Sequence, residues 1–256
     1  MFVTDFHTHT CASPDSRTTL PQLLAAAEAA GVRELAVTDH AEGSDALQAA
    51  SASYEAAAAF AAAYNGPVRL ARGIELGQPL ADEARSRAVL AAHAWDVVLL
   101  SQHDSPEGED YYRINFNGRH LPTVMRAYLW ELLRVIEWGH GHVLAHLTYP
   151  LRYMPPFDHA GYGDELDAVL RAVAARGLAL EINTGGLRSR RREINPAPEV
   201  VRRFFELGGE LITVGSDAHR AADVGAHFED GCAVARAAGF RYHAVFFGGK
   251  AKMQKL

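Results

Sequence analysis

Phe2-Val3-Thr4-Asp5-Phe6-His7-Thr8-His9 is a short apolar run that ends in two histidines spaced i, i+2. On an extended backbone alternate side chains share a face, so His7 and His9 point at one volume. Neutral imidazole ligates zinc, iron and manganese, and Asp5 stands where it can orient a ring from behind. The stretch also reads as a strand end with two exposed histidines. The choice between these readings rests on what the later strands end in.

Going forward, Thr10–Thr19 is a polar loop, with Thr19 capping a helix over Leu20–Ala30 that has Pro21 in its first turn and Gly31 at its end. Strands are expected at Arg33–Thr38, Val68–Ile74, Trp95–Leu100, His142–Ala145, Leu178–Ile182 and Leu211–Val214. Helices alternate with them at about Asp45–Tyr64, Leu80–His93, Leu121–Trp138, Asp164–Arg176, Pro198–Leu207 and Ala226–Ala238, and Tyr242–Phe247 reads as a short closing strand. The loops Asp104–His120 and Thr148–Gly163 are long and rich in Tyr, Pro and Gly, a composition often found around functional sites. Seven strand–helix alternations with short connections predict an α/β fold, a distorted (β/α)7 TIM-like barrel, as one domain over residues 1–256. An open doubly wound sheet is the alternative, but no GxGxxG follows the first strand, so dinucleotide binding has no support.

The chain has 256 residues, 48% of them hydrophobic, and a net charge of −6. That balance argues against sequence-independent nucleic-acid binding. Two cysteines, Cys11 and Cys232, form no disulfide framework; both fit a reducing compartment, with Cys11 expected as a small buried filler. With no leader pattern and no apolar run of membrane-spanning length, the expected location is the cytoplasm and no membrane partner is expected.

The strand ends carry the chemistry. His7 and His9 follow the first strand, His40 the second, Glu75 the third, His103 the fourth, His146 the fifth, and Asp217 and His219 the seventh. In a barrel these ends meet at the carboxyl-terminal rim. Six of the thirteen histidines fall there; His93, His120, His140, His142, His159, His227 and His243 read as structural or surface residues. Buried carboxylates and imidazoles gathered at one rim call for cations between them. Asp15 is close to the rim in sequence, and on spacing alone it reads as a turn residue before Ser16.

The segments Asp5–His9, Thr38-Asp39-His40, Gly73-Ile74-Glu75, Ala145-His146 and Gly215-Ser216-Asp217-Ala218-His219 resemble the motifs of the PHP (polymerase and histidinol phosphatase) family over nearly the full length. Gly108–Tyr112, Tyr149–Tyr153 and Glu181–Arg188 resemble its histidinol-phosphatase branch. The resemblance implies three divalent ions (Zn, Fe or Mn). His7, His9, Glu75 and Asp217 would hold one, with Glu75 bridging to a second held by His103 and His146. Asp15, His40 and His219 would hold the third, and Asp15, where some members carry histidine, would favour a harder ion.

The implied reaction is hydrolysis of a small phosphate monoester, histidinol phosphate in histidine biosynthesis, by a hydroxide bridging two cations. Arg152 and Arg188 are candidate catalytic and substrate-binding clamps for the phosphoryl oxygens, and Asp217 or His219 would carry the proton. Tyr112 and Tyr153 would line a pocket for an imidazole-bearing alcohol; Glu42, Glu109 and Asp110 read as solvated acids, with pairing to a substrate ammonium group as the alternative, and Arg190–Arg192 as a solvated charge run. A phosphodiesterase or nucleotidase of the same family is the alternative function. An amidohydrolase-type barrel with a modified lysine bridging its metals is excluded, because the first lysine is Lys250. A metal-stabilised scaffold without activity would predict lost ligand positions, and none of these positions is apolar. The sequence is silent on oligomeric state.

Overall fold

The computed structural model describes residues 3–157 and 159–256, with the side chains of 159 and 160 outside that description; Phe2 and the ring of His159 therefore lie outside the described residues. In chain order the strands are β1 (Val3–Asp5), β2 (Val32–Val37), β3 (His40–Ala41), β4 (Arg69–Gly77), β5 (Val97–Ser101), β6 (Val143–Leu144), β7 (Ala179–Asn183), β8 (Ile212–Gly215), β9 (Tyr242–Phe247) and β10 (Lys250–Lys255). The order β1-β2-β4-β5-β6-β7-β8 is parallel throughout, with the two-residue β3 paired beside β4. Among the described residues no regular ladder joins β8 to β1. Individual bonds bridge that seam instead: Phe6 N–H to the Val214 carbonyl, Asp217 N–H to that of His7, and His9 N–H to that of Ala218. The result is the distorted seven-stranded barrel expected from the alternation.

Helices α1 (Leu20–Ala29), α2 (Ala46–Ala63), α3 (Glu83–Ala92), α4 (Leu121–Trp138), α5 (Gly163–Ala175), α6 (Pro198–Glu206) and α7 (Phe228–Ala238) surround it. Thr19 caps α1 as its sequence predicts: its side chain accepts from Gln22 N–H while Gln22 reaches back to the Thr19 backbone. The interior is narrow because small residues face it. Ala36, Ala71, Ala145 and Ala179 share that core with Phe6, Val97, Leu99 and Val143.

Tyr242–Phe247 is a strand at the expected bounds. It does not extend the barrel sheet but forms an antiparallel hairpin with β10. The turn Gly248-Gly249 has φ of 59° and 70°, as a two-residue hairpin loop requires. Lys-Ala-Lys-Met-Gln-Lys has no apolar run, so β10 gives no strand signal of its own. The hairpin closes the amino-terminal mouth of the barrel: Ala244, Val245 and Phe246 join the interior core. Gly248 N–H and Gly249 N–H donate to Asp96 just ahead of β5, and Gln254 Nε2 donates to Glu34 at 3.0 Å.

At this plug His243 is fully buried, with Nε2 3.1 Å from Thr4 Oγ1. Burial holds its pKa down to about 4, against an ordinary value of 6.5. The unfolded chain therefore takes up a proton there from pH 6.5 downward while the folded one does not. Stability is full above pH 6.5 and is lost as pH falls towards 4, by about 3 kcal/mol in all. Urea titrations of metal-free protein should show an acid limb that is shallower in His243→Asn by roughly 1.4 kcal/mol per pH unit. Parallel limbs would mean that His243 does not supply this sensitivity.

Candidate metal centre

The structure brings the nine metal-type side chains named above to the carboxyl-terminal rim. Their close approaches form overlapping sets, with His40 Nδ1 also 3.1 Å from Glu75 Oε2. His7 Nε2 lies 3.2 Å from Glu75 Oε2 and 3.7 Å from Asp217 Oδ1, and His9 Nε2 lies 3.5 and 3.6 Å from the same two atoms. Glu75 turns its other oxygen to a second cluster, with Oε1 2.7 Å from His146 Nε2 and 3.2 Å from His103 Nε2. In a third, Asp15 Oδ2 is 3.0 Å from His219 Nε2 and 3.6 Å from His40 Nε2.

The local backbone explains the convergence. The register of β3 on β4 sets His40 beside Glu75. Asp217 has φ 56° and His146 φ 23°, left-handed conformations costing about 1–3 kcal/mol each, which bonded neighbours hold in place.

Outer polar groups fix which nitrogen of each ring faces inward. His7 Nδ1 donates to Glu181 Oε1 at 2.7 Å, and His103 Nδ1 to Glu42 Oε2 at 3.2 Å. His9 Nδ1 lies 3.1 Å from Ser13 Oγ, which in turn donates to Asp39 at 2.7 Å. His219 Nδ1 donates to the Asp217 carbonyl at 3.1 Å. Each of these four rings thereby offers Nε2 to the rim, the second-layer arrangement common around metal-bound histidine.

Glu75 is buried, which penalises its charge, yet the imidazoles of His7, His40 and His103 hold its carboxyl well below the usual range. Burial also works against a charged His40, but Glu75 and Asp15 push it up to about 10. Burial together with His40 and His219 holds His9 down to about 4. His9 Nε2 is thus a buried, neutral lone pair with no hydrogen-bond partner, facing two carboxylate oxygens. A divalent cation satisfies that arrangement, and imidazole with carboxylate donors suits zinc, iron or manganese.

A cavity of about 610 Å³ opens over the clusters, lined also by Glu42, Asp110, Tyr112, Arg113, Tyr149, Arg152 and Tyr153. Tyr112 and Tyr153 meet edge to face at 5.5 Å, so both candidate lining residues stand at this mouth. Arg152 donates Nη1–H to Asp217 at 3.0 Å, Nη2–H to Asn183 at 2.7 Å and Nε–H to Asn195 at 2.9 Å.

Several expectations need correction. Arg188 is not in this lining: its Nη2 donates to the Ser216 carbonyl at 2.6 Å and to that of Asp217 at 3.2 Å, and it borders a separate open groove with Leu187 and Ile194. In this geometry Nη2 buttresses the Ser216–Asp217 turn, while Nη1 is buried without a hydrogen-bond partner among the described residues. Asp5 touches no ring; its carboxylate is taken up by Ser216 and Gly225 across the seam. Glu181 fills the role expected of it. Glu42 and Asp110 are not solvated acids: Glu42 bonds His103, and Asp110 accepts from the Tyr149 hydroxyl at 3.2 Å. Arg191 donates to the Leu151 and Met154 carbonyls, and Cys11 is exposed whereas Cys232 is buried.

A PHP domain model matches residues 5–185. A probable histidinol-phosphatase from Thermotoga maritima is 29% identical over 245 residues, 94% of each chain. The histidinol-phosphatase of Lactococcus lactis subsp. lactis is 26% identical over 261 residues, covering 98% of this chain and 97% of its own. A crystal structure of histidinol phosphate phosphatase from Lactococcus lactis, complexed with Zn, L-histidinol and phosphate, has the same fold, with a TM-score of 0.84 at 24% identity over 98% of both chains. With the barrel and its rim donors, these relatives define a metal-dependent phosphoric monoester hydrolase. The chain belongs to the PHP family, on its histidinol-phosphatase-like branch. Among the described residues no helix is long and apolar enough to cross a membrane.

Proposed function

We propose that this chain, acting as a single domain in the cytoplasm, hydrolyses L-histidinol phosphate to L-histidinol and phosphate, as a step of histidine biosynthesis. The observation that carries the reading is Glu75, which presents one oxygen to His7, His9 and His40 and the other to His103 and His146. His7, His9, Glu75 and Asp217 would hold a first ion; Glu75, His103 and His146 a second; Asp15, His40 and His219 a third. Divalent ions held there would supply positive charge for the phosphoryl oxygens and a water acidic enough to serve as the nucleophile.

The chain's own groups do the rest. Arg152 spends three of its five N–H donors on Asp217, Asn183 and Asn195, and the remainder can take phosphate oxygens in the cavity. Asp217 and His219 are the two candidates for carrying the proton to the leaving alcohol, and Asp217, against the cost of burial, is held as a carboxylate by His7, His9 and Arg152. In His219, Nδ1 is bonded to the Asp217 carbonyl and Nε2 faces Asp15, whose carboxylate, against desolvation, favours the protonated ring. Tyr112 and Tyr153 form an aromatic wall for the imidazole of the alcohol, and Glu42 and Asp110 face the cavity as counter-charges for an ammonium group.

Phosphate release from histidinol phosphate, nucleoside monophosphates and a short oligonucleotide, alongside elemental analysis of the protein, tests the reading. Histidinol phosphate should lead the panel by about 10²-fold or more in kcat/KM, since a pocket built to bond a polar group rejects ligands that lack it. Activity should vanish on chelation and return with Zn²⁺ or Mn²⁺. A nucleotide preference would overturn the substrate assignment.

A further inference from the structure

Glu181 belongs to none of the three clusters. It sits on β7 with its carboxylate buried inside the barrel. Its two oxygens serve different partners: Oε1 accepts from His7 Nδ1–H, whereas Oε2 accepts from the backbone N–H of His146 at 2.7 Å and from Asn183 Nδ2–H at 3.1 Å. His7 belongs to one ion position and His146 to the other. The His146 N–H is held at the residue whose φ is positive, so this bond helps to fix an unfavourable backbone conformation. Room for the carboxylate exists because Gly215 on β8 has no side chain; a Cβ there would run into Glu181 Oε1 and the His7 Cβ.

We infer that Glu181 is the positioning residue that sets His7 and His146 in one frame, so that the first and second ion positions are built together. The inference rests on the ion assignment proposed above. A carboxamide offers one acceptor oxygen where the carboxylate offers two, so Gln at 181 satisfies the ring of His7 or the amide of His146, and not both.

Wild type and Glu181→Gln, stripped of metal and verified as folded by circular dichroism, are titrated with Zn²⁺ against a competing chromophoric chelator, and their Co²⁺ spectra are compared. The variant should lose about 10–100-fold in Zn²⁺ affinity, the range for outer partners of metal-bound histidine, and show altered Co²⁺ ligand-field bands. Equal affinity together with unchanged bands overturns the inference. A wild type that binds no Zn²⁺ overturns the ion assignment itself. Should the variant not fold, nitrogen-15 NMR of histidine-labelled, Zn²⁺-loaded wild type decides: the inference requires His7 as the Nδ1–H tautomer, and a His7 ring protonated on Nε2 refutes it.

Discussion

Glu75→Gln is expected to lower kcat/KM for phosphate release by at least about 10³-fold, because one side chain bridges two of the positions that would gather charge around the phosphoryl group. The glutamine keeps the volume of a side chain that is buried on β4, so the barrel has no reason to repack. What changes is the pair of anionic oxygens. An amide turns its NH2 towards either the His7 and His9 nitrogens or those of His103 and His146, so one cluster faces a donor where it needs an acceptor. Metal per chain should fall with activity, while circular dichroism stays that of the wild type. A variant with full metal content and normal turnover would remove Glu75 from the bridge.

The second large effect is expected at Arg152. Lysine keeps the charge and loses the fork, so it cannot replace three bonds made in three directions to Asp217, Asn183 and Asn195. Arg152→Lys should cost about 10²-fold in kcat/KM, comparable to removing one preorganised donor from a transition state. Arg152→Ala should cost more and also lower stability by about 3–5 kcal/mol, because the buried Asp217 carboxylate loses its cationic partner. Steady-state kinetics on histidinol phosphate and urea titrations of the metal-free proteins check both. Unchanged kinetics in the lysine variant would take Arg152 out of phosphate binding.

The barrel is legible in the sequence because alternating apolar strands and capped helices carry local signals: Thr19 with Gln22 for α1, and the apolar run Val97–Ser101 for β5. The rim donors are legible for a different reason. All but Asp15, which sits in the loop after β1 and reads on spacing as a turn residue, stand at or close to a strand end, and a barrel makes those ends neighbours. The outer partners are not, since nothing about Glu181 or Glu42 marks them locally. Glu181 lies inside an apolar strand, where its in-facing phase follows from alternation with Leu180 and Ile182; its contact with His7 depends on the width left by Gly215. Arg188 is the converse case. Its place after the Asn183–Gly186 turn suggests reach into the site, but the side chain folds back onto the Ser216 and Asp217 carbonyls. Direction of a long flexible side chain is a tertiary property, and spacing does not encode it.

The hairpin at the base has a practical corollary. Lys250, Lys252 and Lys255 are the only lysines in the sequence, and all three stand exposed on β10, across the barrel from the metal rim. Amine-directed coupling of these side chains to a bead or a dye would grip the molecule by its floor and leave the catalytic opening turned outward.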